Sequence, residues 1–466
     1  MSDKHKLDPL PNEVFRDYDI RGFSYTQITP EFARRLGAAI ATMFKQKNHD
    51  AIYVGRDCRL NSKELSLALC KGLINQGMDV YDLGTVSTPV VNFSIKCGNH
   101  ADLGIMITAS HNPKEYNGFK IVVRDKVIDG EILQQLKQLM HLSNPKLPQT
   151  GQVTTVDMAN TYLKAITQSC NPKTNFKIVI DAGNAVVGPL AEKLFTQLGC
   201  DLTAIFCQPD GNFPNHDPNP SDEKNLSQLR QTVLAKNADL GFAFDGDGDR
   251  LVVVTATGAT VWPDQLMMIF AQNILGHYPK TKVVFDVKSS NRLSQLITKN
   301  GGVPVMCKTG HSHVKRAVAE TGAKIGGEFS GHIFFNDRWH GFDDGIYAAM
   351  RLLEILGDTN KDLDAILKEF SPCADTAEIL IPILESEKFQ LIANIANQCN
   401  FLGAKVNTID GLRVEYNNGW GLIRASNTSA YLTMRFEADN MEELARIKKL
   451  FIKELTPFIN NVEDYL

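Results

Sequence analysis

A strand, a loop of small residues, an amphipathic helix and a second strand follow one another three times along the chain. The three copies read AIYVGRDCRLNSKELSLALCKGLINQGMDV, KIVIDAGNAVVGPLAEKLFTQLGCDLTAIF and KVVFDVKSSNRLSQLITKNGGVPVMC. Each predicted helix ends at a glycine, at Gly77, at Gly199 and at Gly301 with Gly302. Because parallel strands need a crossover of this length, the copies predict three similar mixed α/β domains in tandem.

The C-terminal part of the chain has a different pattern. After KEFSPC a helix is predicted, then short strands such as GLIRAS and AYLTMRFEA, then a final helix. This order predicts a smaller α+β domain. With 466 residues the chain has room for four domains, which we place at residues 1–152, 153–258, 259–370 and 371–466. The segment QPDGNFPNHDPNPSDEKN lies inside the second copy, so it is interpreted as a long functional loop and not as a linker.

Composition excludes several classes of protein. No stretch approaches the ~18 apolar residues of a membrane helix, and the polar start MSDKHKLDPLPNEV lacks the apolar core of a secretion signal. Nine scattered cysteines without C-x-x-C spacing indicate a reducing compartment. The net charge is -4 and no block of basic residues occurs. We therefore expect a cytoplasmic protein whose partners include neither nucleic acid nor membrane.

The stretch GIMITASHNPKEYNGFK sets an apolar, strand-like run against an abrupt turn. That turn places Ser110, His111, Asn112 and Pro113 side by side. An ordinary Asn-Pro turn is one interpretation. The glycines of a hydrolase nucleophile elbow are absent, so this serine does not belong to a G-x-S-x-G motif.

The stretch FAFDGDGDRLVVV places three aspartates at every second position after an apolar strand, at Asp245, Asp247 and Asp249. Their side chains can converge, while the intervening glycines let the backbone curl around a ligand. Three adjacent carboxylates repel one another unless a cation lies among them, and a few hard oxygen ligands suit Mg²⁺. An EF-hand is excluded because Arg250 and Ala256 stand where it needs Gly and Glu. A solvated acidic turn is the structural alternative.

Two further loops carry polar side chains between strands. In AKIGGEFSGHIFF, Glu328 and Ser330 are two residues apart and can hold neighbouring sugar hydroxyls, although a glycine-rich hairpin explains the pattern nearly as well. In LIRASNTSAYLTMRF, one turn offers a cation, hydroxyls and an amide that suit a phosphate, namely Arg424, Ser426, Asn427 and Thr428. Turns rich in Ser, Thr and Asn are common without any ligand.

The four loops together are far more specific than any one of them. TASHNP, DGDGDR, GEFSGH and RASNTS occur in this order, and the chain from FRDYDIRG to the last helix closely resembles the α-D-phosphohexomutase superfamily, in its phosphomannomutase/phosphoglucomutase branch. The resemblance implies that the fourth domain is similar to the TATA-box-binding protein and that the four domains surround a central cleft. It also implies an isomerase that interconverts hexose 1-phosphate and hexose 6-phosphate, with mannose and glucose as the sugars.

The resemblance implies roles for the residues of two loops. Ser110 would be the phosphoserine that donates its phosphate to the substrate, giving a hexose 1,6-bisphosphate that serves as intermediate and activator. Mg²⁺ would be bound by Asp245, Asp247, Asp249 and the Ser110 phosphate, with Arg250 beside it. We also expect a monomer or weak homodimer.

Other residues match the family one at a time. Catalytic roles are implied for His111 in TASHNP, Lys120 in NGFK, Arg21 in YDIRG and His332 in GEFSGH. Tyr18 in YDIRG, Lys288 in DVKSS and His311 in KTGHSH would contact the sugar or its phosphate. His332 or His311 could exchange protons near neutral pH.

The chain departs from the family pattern at two positions. NTSAYL lacks the usual proline after the second hydroxyl residue, and His340 stands where an aromatic side chain is common. The main alternative is the phosphoglucosamine mutase branch, which would read closer to GTDGIRG, GEQSGH and RPSGTEP. A metal-dependent sugar phosphatase and a non-catalytic phosphosugar-binding protein are alternatives from other classes.

Overall fold

The computed structural model describes residues 10–128, 130–142, 147–148, 150–173, 175–427 and 429–466. The chain forms two compact units. The first comprises Met1–Pro263 and Ser330–Asp364, and the second comprises Asp264–Phe329 and Ala365–Leu466. Among the described residues, every helix is too short or too polar to cross a lipid bilayer.

The first sheet lies in the first unit. Its elements are the 3₁₀ helix η1 (Asn12–Val14), β1 (Ile20–Phe23), α1 (Pro30–Lys45), β2 (Ala51–Arg56), α2 (Ser62–Asn75), β3 (Asp79–Thr85), α3 (Thr88–Cys97), β4 (Leu103–Ile107), β5 (Tyr116–Val123), α4 (Gly130–Met140) and β6 (Val153–Thr155). The described strands lie in the order β1-β5-β4-β2-β3-β6. The pairs β2–β3, β2–β4 and β3–β6 are parallel, whereas β5 is antiparallel to both β1 and β4.

Helices α1 and α2 show how the sequence determines local packing in this region. Pro30 occupies the first turn of α1, and Thr29 Oγ1 caps the helix by accepting the Phe32 N–H at 3.1 Å. The helices approach closely at Gly37, since a Cβ on this residue would lie 2.3 Å from Leu69 O. A larger side chain at Gly37 would therefore separate the helices and open the apolar core.

The second sheet also lies in the first unit. Its elements are α5 (Ala159–Ser169), β7 (Lys177–Asp181), α6 (Gly188–Gln197), β8 (Asp201–Ile205), η2 (Glu223–Leu226), α7 (Ser227–Lys236), β9 (Leu240–Phe244), β10 (Leu251–Thr255) and β11 (Thr260–Val261). The strands lie in the order β11-β10-β9-β7-β8, with β7 parallel to β8 and β9. The proline-rich segment between β8 and η2 is a loop, as predicted. His216 Nε2 ties it to the end of β7, 3.2 Å from both carboxylate oxygens of Asp181.

The third stretch of elements contains the last of the three copies. It comprises α8 (Pro263–His277), β12 (Lys282–Asp286), α9 (Asn291–Lys299), β13 (Val303–Cys307), α10 (His311–Thr321), β14 (Ile325–Gly327), β15 (Ile333–Phe335) and α11 (Gly345–Thr359). Strand β12 is parallel to both β13 and β14. All three predicted strand–helix–strand copies are therefore present, and Gly77, Gly199 and Gly301 have the positive φ angles of helix-terminating glycines, between 72° and 77°.

The C-terminal elements are α12 (Leu363–Leu367), β16 (Ala374–Asp375), β17 (Ile379–Pro382), α13 (Lys388–Gln398), β18 (Lys405–Asn407), β19 (Leu412–Tyr416), β20 (Gly419–Ala425), β21 (Tyr431–Ala438), α14 (Met441–Leu455) and η3 (Val462–Asp464). An antiparallel sheet runs in the order β16-β21-β20-β19-β18, and β17 also pairs with β21. The predicted α+β organisation is confirmed. The sequence did not predict β16 and β17, because such short strands gain their hydrogen bonds from β21, which is distant in sequence.

Candidate active site

Ser110 lies in the loop that follows β4, at the carboxyl end of a strand within the sheet. Its side chain is buried, and its Oγ donates to Asp245 Oδ2 at 2.8 Å across 135 positions of sequence. The backbone of Ser110 is left-handed, with φ of 50°, and its N–H donates to Thr108 Oγ1 at 2.8 Å. Because a non-glycine residue adopts this conformation only at a cost, the surrounding contacts hold the hydroxyl in a defined place.

The three predicted aspartates converge in the turn between β9 and β10. The carboxylates of Asp245, Asp247 and Asp249 are buried, with ligand oxygens within 4.8 Å of one another. Asp245 Oδ1 also closes the turn, since it accepts the backbone N–H groups of Gly248 at 3.0 Å and of Asp249 at 3.1 Å. The structure thus confirms the convergence that the spacing predicts.

Lys120 supplies positive charge to this cluster. Its Nζ lies 2.6 Å from Asp247 Oδ2 and 2.6 Å from Asp249 Oδ2. Burial lowers the pKa of Lys120, but Asp247 and Asp249 outweigh it and raise the pKa above its usual value. Burial raises the pKa of Asp247, yet the Lys120 ammonium more than offsets this and holds that pKa below its ordinary range. Burial, followed by Asp249 and Asp247, raises the pKa of Asp245.

The cluster fits a divalent cation. The Lys120 ammonium and the Arg250 guanidinium face three carboxylates, so negative charge is left over in a buried site. In the part of the chain that the structure describes, Asp247 Oδ1 is buried without a hydrogen-bond partner. A buried carboxylate oxygen without a donor is costly, and a hard cation would compensate it. The side chains that could hold such an ion are Asp245, Asp247, Asp249 and Ser110.

Arg250 and His332 form a fixed pair beside the aspartates. Arg250 Nε donates to His332 Nε2 at 2.9 Å and lies 3.7 Å from Asp245 Oδ2. His332 Nδ1 lies 2.8 Å from Asp343 Oδ2 and 3.3 Å from Asp249 Oδ1. Burial lowers the pKa of His332 to about 3. The neutral ring therefore carries its proton on Nδ1, toward Asp343, and accepts from Arg250 with the other nitrogen.

Arg21 contacts the loop that carries Ser110, residues 108–116 (the serine loop), and His111 lies within that loop next to Ser110. Arg21 donates to Asn112 Oδ1 at 2.7 Å and to Asp19 Oδ2 at 2.6 Å. Asp19 and Tyr18 raise the pKa of Arg21 against the effect of burial, which places Tyr18 within electrostatic reach of the guanidinium. His111 Nδ1 lies 3.3 Å from Ser110 Oγ, and burial, followed by Arg250, lowers the pKa of this imidazole well below its usual value.

Two side chains of this site were missed by the sequence analysis. Thr88 begins α3, and its Oγ1 donates to Asp247 Oδ2 while its N–H donates to Asp247 O at 2.9 Å. Asp343 faces His332. A helix N-cap pattern at STP, and an acidic pair just before α11, were the only local signals for them. Neither pattern indicates which residue Thr88 or Asp343 contacts, because Asp247 is distant in sequence from Thr88 and the His332 contact depends on the fold.

The second unit carries a separate group of predicted residues. Lys288 is buried, with its Nζ 3.3 Å from Glu378 Oε1 and 5.7 Å from the centroid of the Phe329 ring. Burial raises the pKa of Glu378, but Lys288 and then Arg424 outweigh it and lower the pKa below its usual value. Glu378, which the sequence did not single out, therefore lies within electrostatic reach of two predicted cations.

The turn between β20 and β21 is held by a hydrogen-bond chain in the same unit. Arg424 Nε donates to Asp410 Oδ2 at 2.9 Å, and that oxygen also accepts the Thr309 N–H at 3.0 Å. Asn427 Nδ2 donates to Thr309 O at 3.5 Å, and Ser426 Oγ lies 2.8 Å from Ser429 Oγ. Thr428, also predicted here, lies outside the described residues.

The remaining predicted residues lie as follows. His311 is half-buried at the start of α10 in the second unit, next to Gly310, whose φ is 134°. Glu328 is buried in the second unit, and Ser330 is half-buried in the first. The structure therefore brings the serine, metal and His332 positions together in the first unit, and the Lys288 and Arg424 positions together in the second.

Comparisons with known proteins cover most of the chain. Four models of the phosphoglucomutase/phosphomannomutase family match, with alpha/beta/alpha domain I at residues 12–143, domain II at 160–258, domain III at 262–373 and the C-terminal domain at 383–454.

Relatives of known name match at similar length. A phosphomannomutase/phosphoglucomutase of Pseudomonas aeruginosa is 44% identical over 97% of each chain, and a phosphoglucomutase of Neisseria gonorrhoeae is 42% identical over 95% of this chain and 96% of its own. The crystal structure of a phosphoglucomutase/phosphomannomutase family protein from Burkholderia thailandensis superposes with a TM-score of 0.91 at 41% identity, covering 97% of this chain and 99% of that one. The chain therefore belongs to the phosphoglucomutase/phosphomannomutase family.

Proposed function

We propose that this protein is an isomerase that interconverts hexose 1-phosphate and hexose 6-phosphate, with mannose and glucose as sugars, through a phosphoserine at Ser110 and a hexose 1,6-bisphosphate intermediate. The observation that carries the proposal is a buried serine hydroxyl 2.8 Å from Asp245, one of three clustered aspartates. Relatives that share nearly the full length and the name phosphomannomutase/phosphoglucomutase support this function over the alternatives.

The transfer itself exchanges one phosphate ester for another. In the first step the bond from phosphorus to Ser110 Oγ breaks, and a bond forms from phosphorus to the free hydroxyl oxygen of the sugar monophosphate. The hydroxyl proton leaves for a nearby base. In the second step the bond from the other phosphorus to its sugar oxygen breaks, a bond forms from that phosphorus to Ser110 Oγ, and the proton of the serine hydroxyl passes through the base to the released sugar oxygen, so no phosphate is lost. Phosphate esters react slowly in water, so the protein must supply positioning and charge.

Proton transfer is assigned to His111. Its Nδ1 lies 3.3 Å from Ser110 Oγ, within reach of a proton at that oxygen. The ring of His332 is engaged by Arg250 at one nitrogen and faces Asp343 at the other. We therefore propose that His332 orients Arg250, and that it is less suited to proton transfer than the sequence prediction supposed.

Lys120, Arg21 and Arg250 provide the positive charge that a moving phosphoryl group needs. Asp247 and Asp249 raise the pKa of Lys120 above its usual value against the effect of burial, so its side chain is a charged ammonium. Arg21 reaches the serine loop through Asn112, and Arg250 lies beside Asp245. Fixed cations aimed at the site stabilise the charge on the transferring group without reorganising during the reaction.

The metal is proposed to be Mg²⁺, held by Asp245, Asp247, Asp249 and the phosphorylated Ser110. When bound, it would neutralise charge on the phosphoryl oxygens as a Lewis acid. The aspartates fit this role because their oxygens converge and one of them lacks a donor among the described residues.

The remaining predicted residues are proposed to bind substrate. In the second unit these are Lys288, His311, Glu328, Arg424, Ser426 and Asn427, and in the first unit Tyr18 and Ser330. Lys288 and Arg424 would hold phosphate as cations, and Glu328 would accept sugar hydroxyls. The predicted domain boundaries, cytoplasmic location and monomer or weak homodimer state stay predictions.

Assay of three sugars tests the proposed function. Mannose and glucose differ only at C2, and Glu328 and Ser330 are proposed to hold hydroxyls common to both, so we expect their 1-phosphates to react with kcat/KM values within about tenfold, or roughly 1.4 kcal/mol. Formation of the 6-phosphate is followed by coupled dehydrogenase assay with trace glucose 1,6-bisphosphate. A preference of a thousandfold would contradict the shared-hydroxyl argument. Faster reaction of glucosamine 1-phosphate, or release of inorganic phosphate alone, would establish one of the alternatives.

Removal of the metal or of one ligand is expected to stop turnover. In Asp247→Asn the site loses a negative charge and keeps its size, so we expect Mg²⁺ affinity and kcat each to fall at least about tenfold. Titration calorimetry measures Mg²⁺ binding independently of activity, and the exposed Asp201→Asn variant is the matched control. Excess chelator should abolish activity reversibly. Full turnover in chelator would exclude the metal from the mechanism.

A further inference from the structure

Arg59 is a buried arginine whose guanidinium faces the serine loop. Its Nη1 donates to Pro113 O at 2.7 Å and to Tyr116 O at 3.0 Å. Its Nη2 donates to Ser110 O at 2.8 Å and to Asn112 O at 2.6 Å. One side chain therefore binds four backbone carbonyls of a loop more than fifty positions away in sequence.

The guanidinium itself is held from the other side. Arg59 Nε lies 3.1 Å from Asp57 Oδ2, and Asp57 Oδ1 accepts both the Arg59 N–H at 3.0 Å and Ser62 Oγ at 2.6 Å. The guanidinium carbon lies 5.1 Å from the centroid of the Phe213 ring. Asp57 follows β2 directly, so a strand of the first sheet places this pair beside the loop after its neighbour β4.

The donor count shows how Arg59 acts. An arginine has five N–H donors, and those of Arg59 are all engaged within the protein, one by Asp57 and four by the loop carbonyls. No donor is left to bind a substrate phosphate. Arg59 thus differs from Arg21 and Arg250, and any effect on catalysis must pass through the serine loop.

The carbonyl of Ser110 is restrained from two sides. Arg59 donates to this oxygen. The backbone of the aspartate turn between β9 and β10 lies against it, since a Cβ on Gly246 would come within 2.2 Å of Ser110 O. Ser110 has a left-handed φ of 50°, which a non-glycine residue keeps only when its surroundings enforce it. These contacts hold the residue whose side chain reaches Asp245.

We propose that Arg59 is a positioning residue for phosphoryl transfer, which holds the backbone of Ser110 so that Oγ stays aimed at the aspartate cluster in both half-reactions. The inference rests on the proposed function of Ser110. The serine must return to the same place after each donation, and misplacement of a reacting atom by ~1 Å can cost ~10²-fold in rate. Without the guanidinium, four carbonyls lose their donors and the loop can relax to other conformations.

The test compares Arg59→Met and Arg59→Lys with Arg35→Met. Arg35 is equally buried in the same unit and donates to Met140 O at 2.9 Å and 2.7 Å, so its loss should lower stability without moving the serine loop. We expect Arg59→Met to lower kcat at least ~100-fold with KM within about threefold. Arg59→Lys should stay at least ~10-fold below wild type, because one ammonium cannot replace the planar fork. Arg35→Met should keep kcat within about twofold.

A second readout separates positioning from folding. Dephosphorylated enzyme is incubated with glucose 1,6-bisphosphate, and phosphate gain at Ser110 is followed by intact mass and peptide mapping. We expect this step to slow in both Arg59 variants while the circular dichroism spectrum matches wild type. If Arg59→Met does not fold, kcat and phosphate gain at Ser110 are compared for Arg59→Lys alone.

Three outcomes would overturn the inference. They are wild-type kcat in Arg59→Lys, an equal loss of kcat in Arg35→Met, and phosphate gain at the wild-type rate in both Arg59 variants. A wild-type protein without mutase activity would instead refute the proposed function.

Discussion

Ser110→Ala is expected to lower mutase turnover by about 10⁴-fold or more while the fold survives, because the proposed transfer passes through a phosphate on the Ser110 hydroxyl, which alanine lacks. Alanine removes one hydroxyl from a buried position, and the backbone contacts of the loop to Thr108 and Arg59 remain. Coupled assay of the isomerisation and a thermal melt measure the two effects separately.

Intact mass identifies the site of modification directly. Active wild-type protein should carry a single phosphate, and the Ser110→Ala protein should carry none after incubation with glucose 1,6-bisphosphate. Ser94→Ala is the matched control, since Ser94 is also a buried serine of the first unit and donates to the helical carbonyl of Val90 at 2.8 Å. Phosphate on another residue of active protein, or substantial turnover by Ser110→Ala, would refute the assignment.

Gly246→Ala is expected to reduce kcat at least ~100-fold, although it adds only one methyl group. The new Cβ would lie 2.2 Å from Ser110 O, a backbone atom that can yield only if the serine loop moves. Any such movement shifts Ser110 Oγ relative to Asp245, and it acts on the carbonyl that Arg59 holds. Turnover and Mg²⁺ binding therefore fall together in this variant.

Gly276→Ala is the control for this substitution. Gly276 lies in helix α8 with open space around the position of a Cβ, so alanine there should leave activity unchanged and stabilise the helix by about 0.5–1 kcal/mol. Thermal melts and kcat of both variants give the comparison. Wild-type turnover in Gly246→Ala would mean that the two loops are not in the tight contact described here.

Patterns in the sequence predicted the three strand–helix–strand copies and the convergence of the three aspartates. The spacing of apolar residues and the glycines that end the helices predicted three strand–helix–strand copies. They begin at Ala51, Lys177 and Lys282, and the structure confirms all three. The alternation of Asp and Gly from Asp245 to Asp249 predicted converging carboxylates, which are present. These features depend on residues close together in sequence. For such residues the backbone geometry of a strand or helix decides which side chains lie on the same face.

Which loops lie next to one another became clear from the folded chain. Ser110 and Asp245 are 135 positions apart, Arg59 and Asn112 are 53 apart, and His332 and Arg250 are 82 apart. The packing of the sheets and the order of their strands bring such residues together. Short sequence patterns indicate neither the packing nor the strand order. In the sequence GRDCRL, Arg59 has no feature that distinguishes it from other loop arginines. Its proposed positioning role follows from the four carbonyls that its buried guanidinium binds.

The protonation states also depended on tertiary structure. Burial lowers the pKa of His332 to about 3, and Arg250 engages one of its ring nitrogens. Burial also lowers the pKa of Lys120, but Asp247 and Asp249 outweigh it and raise that pKa above its usual value. Sequence supplies the titratable groups, whereas desolvation and the charges of distant neighbours, which exist only in the folded chain, set what each group can do.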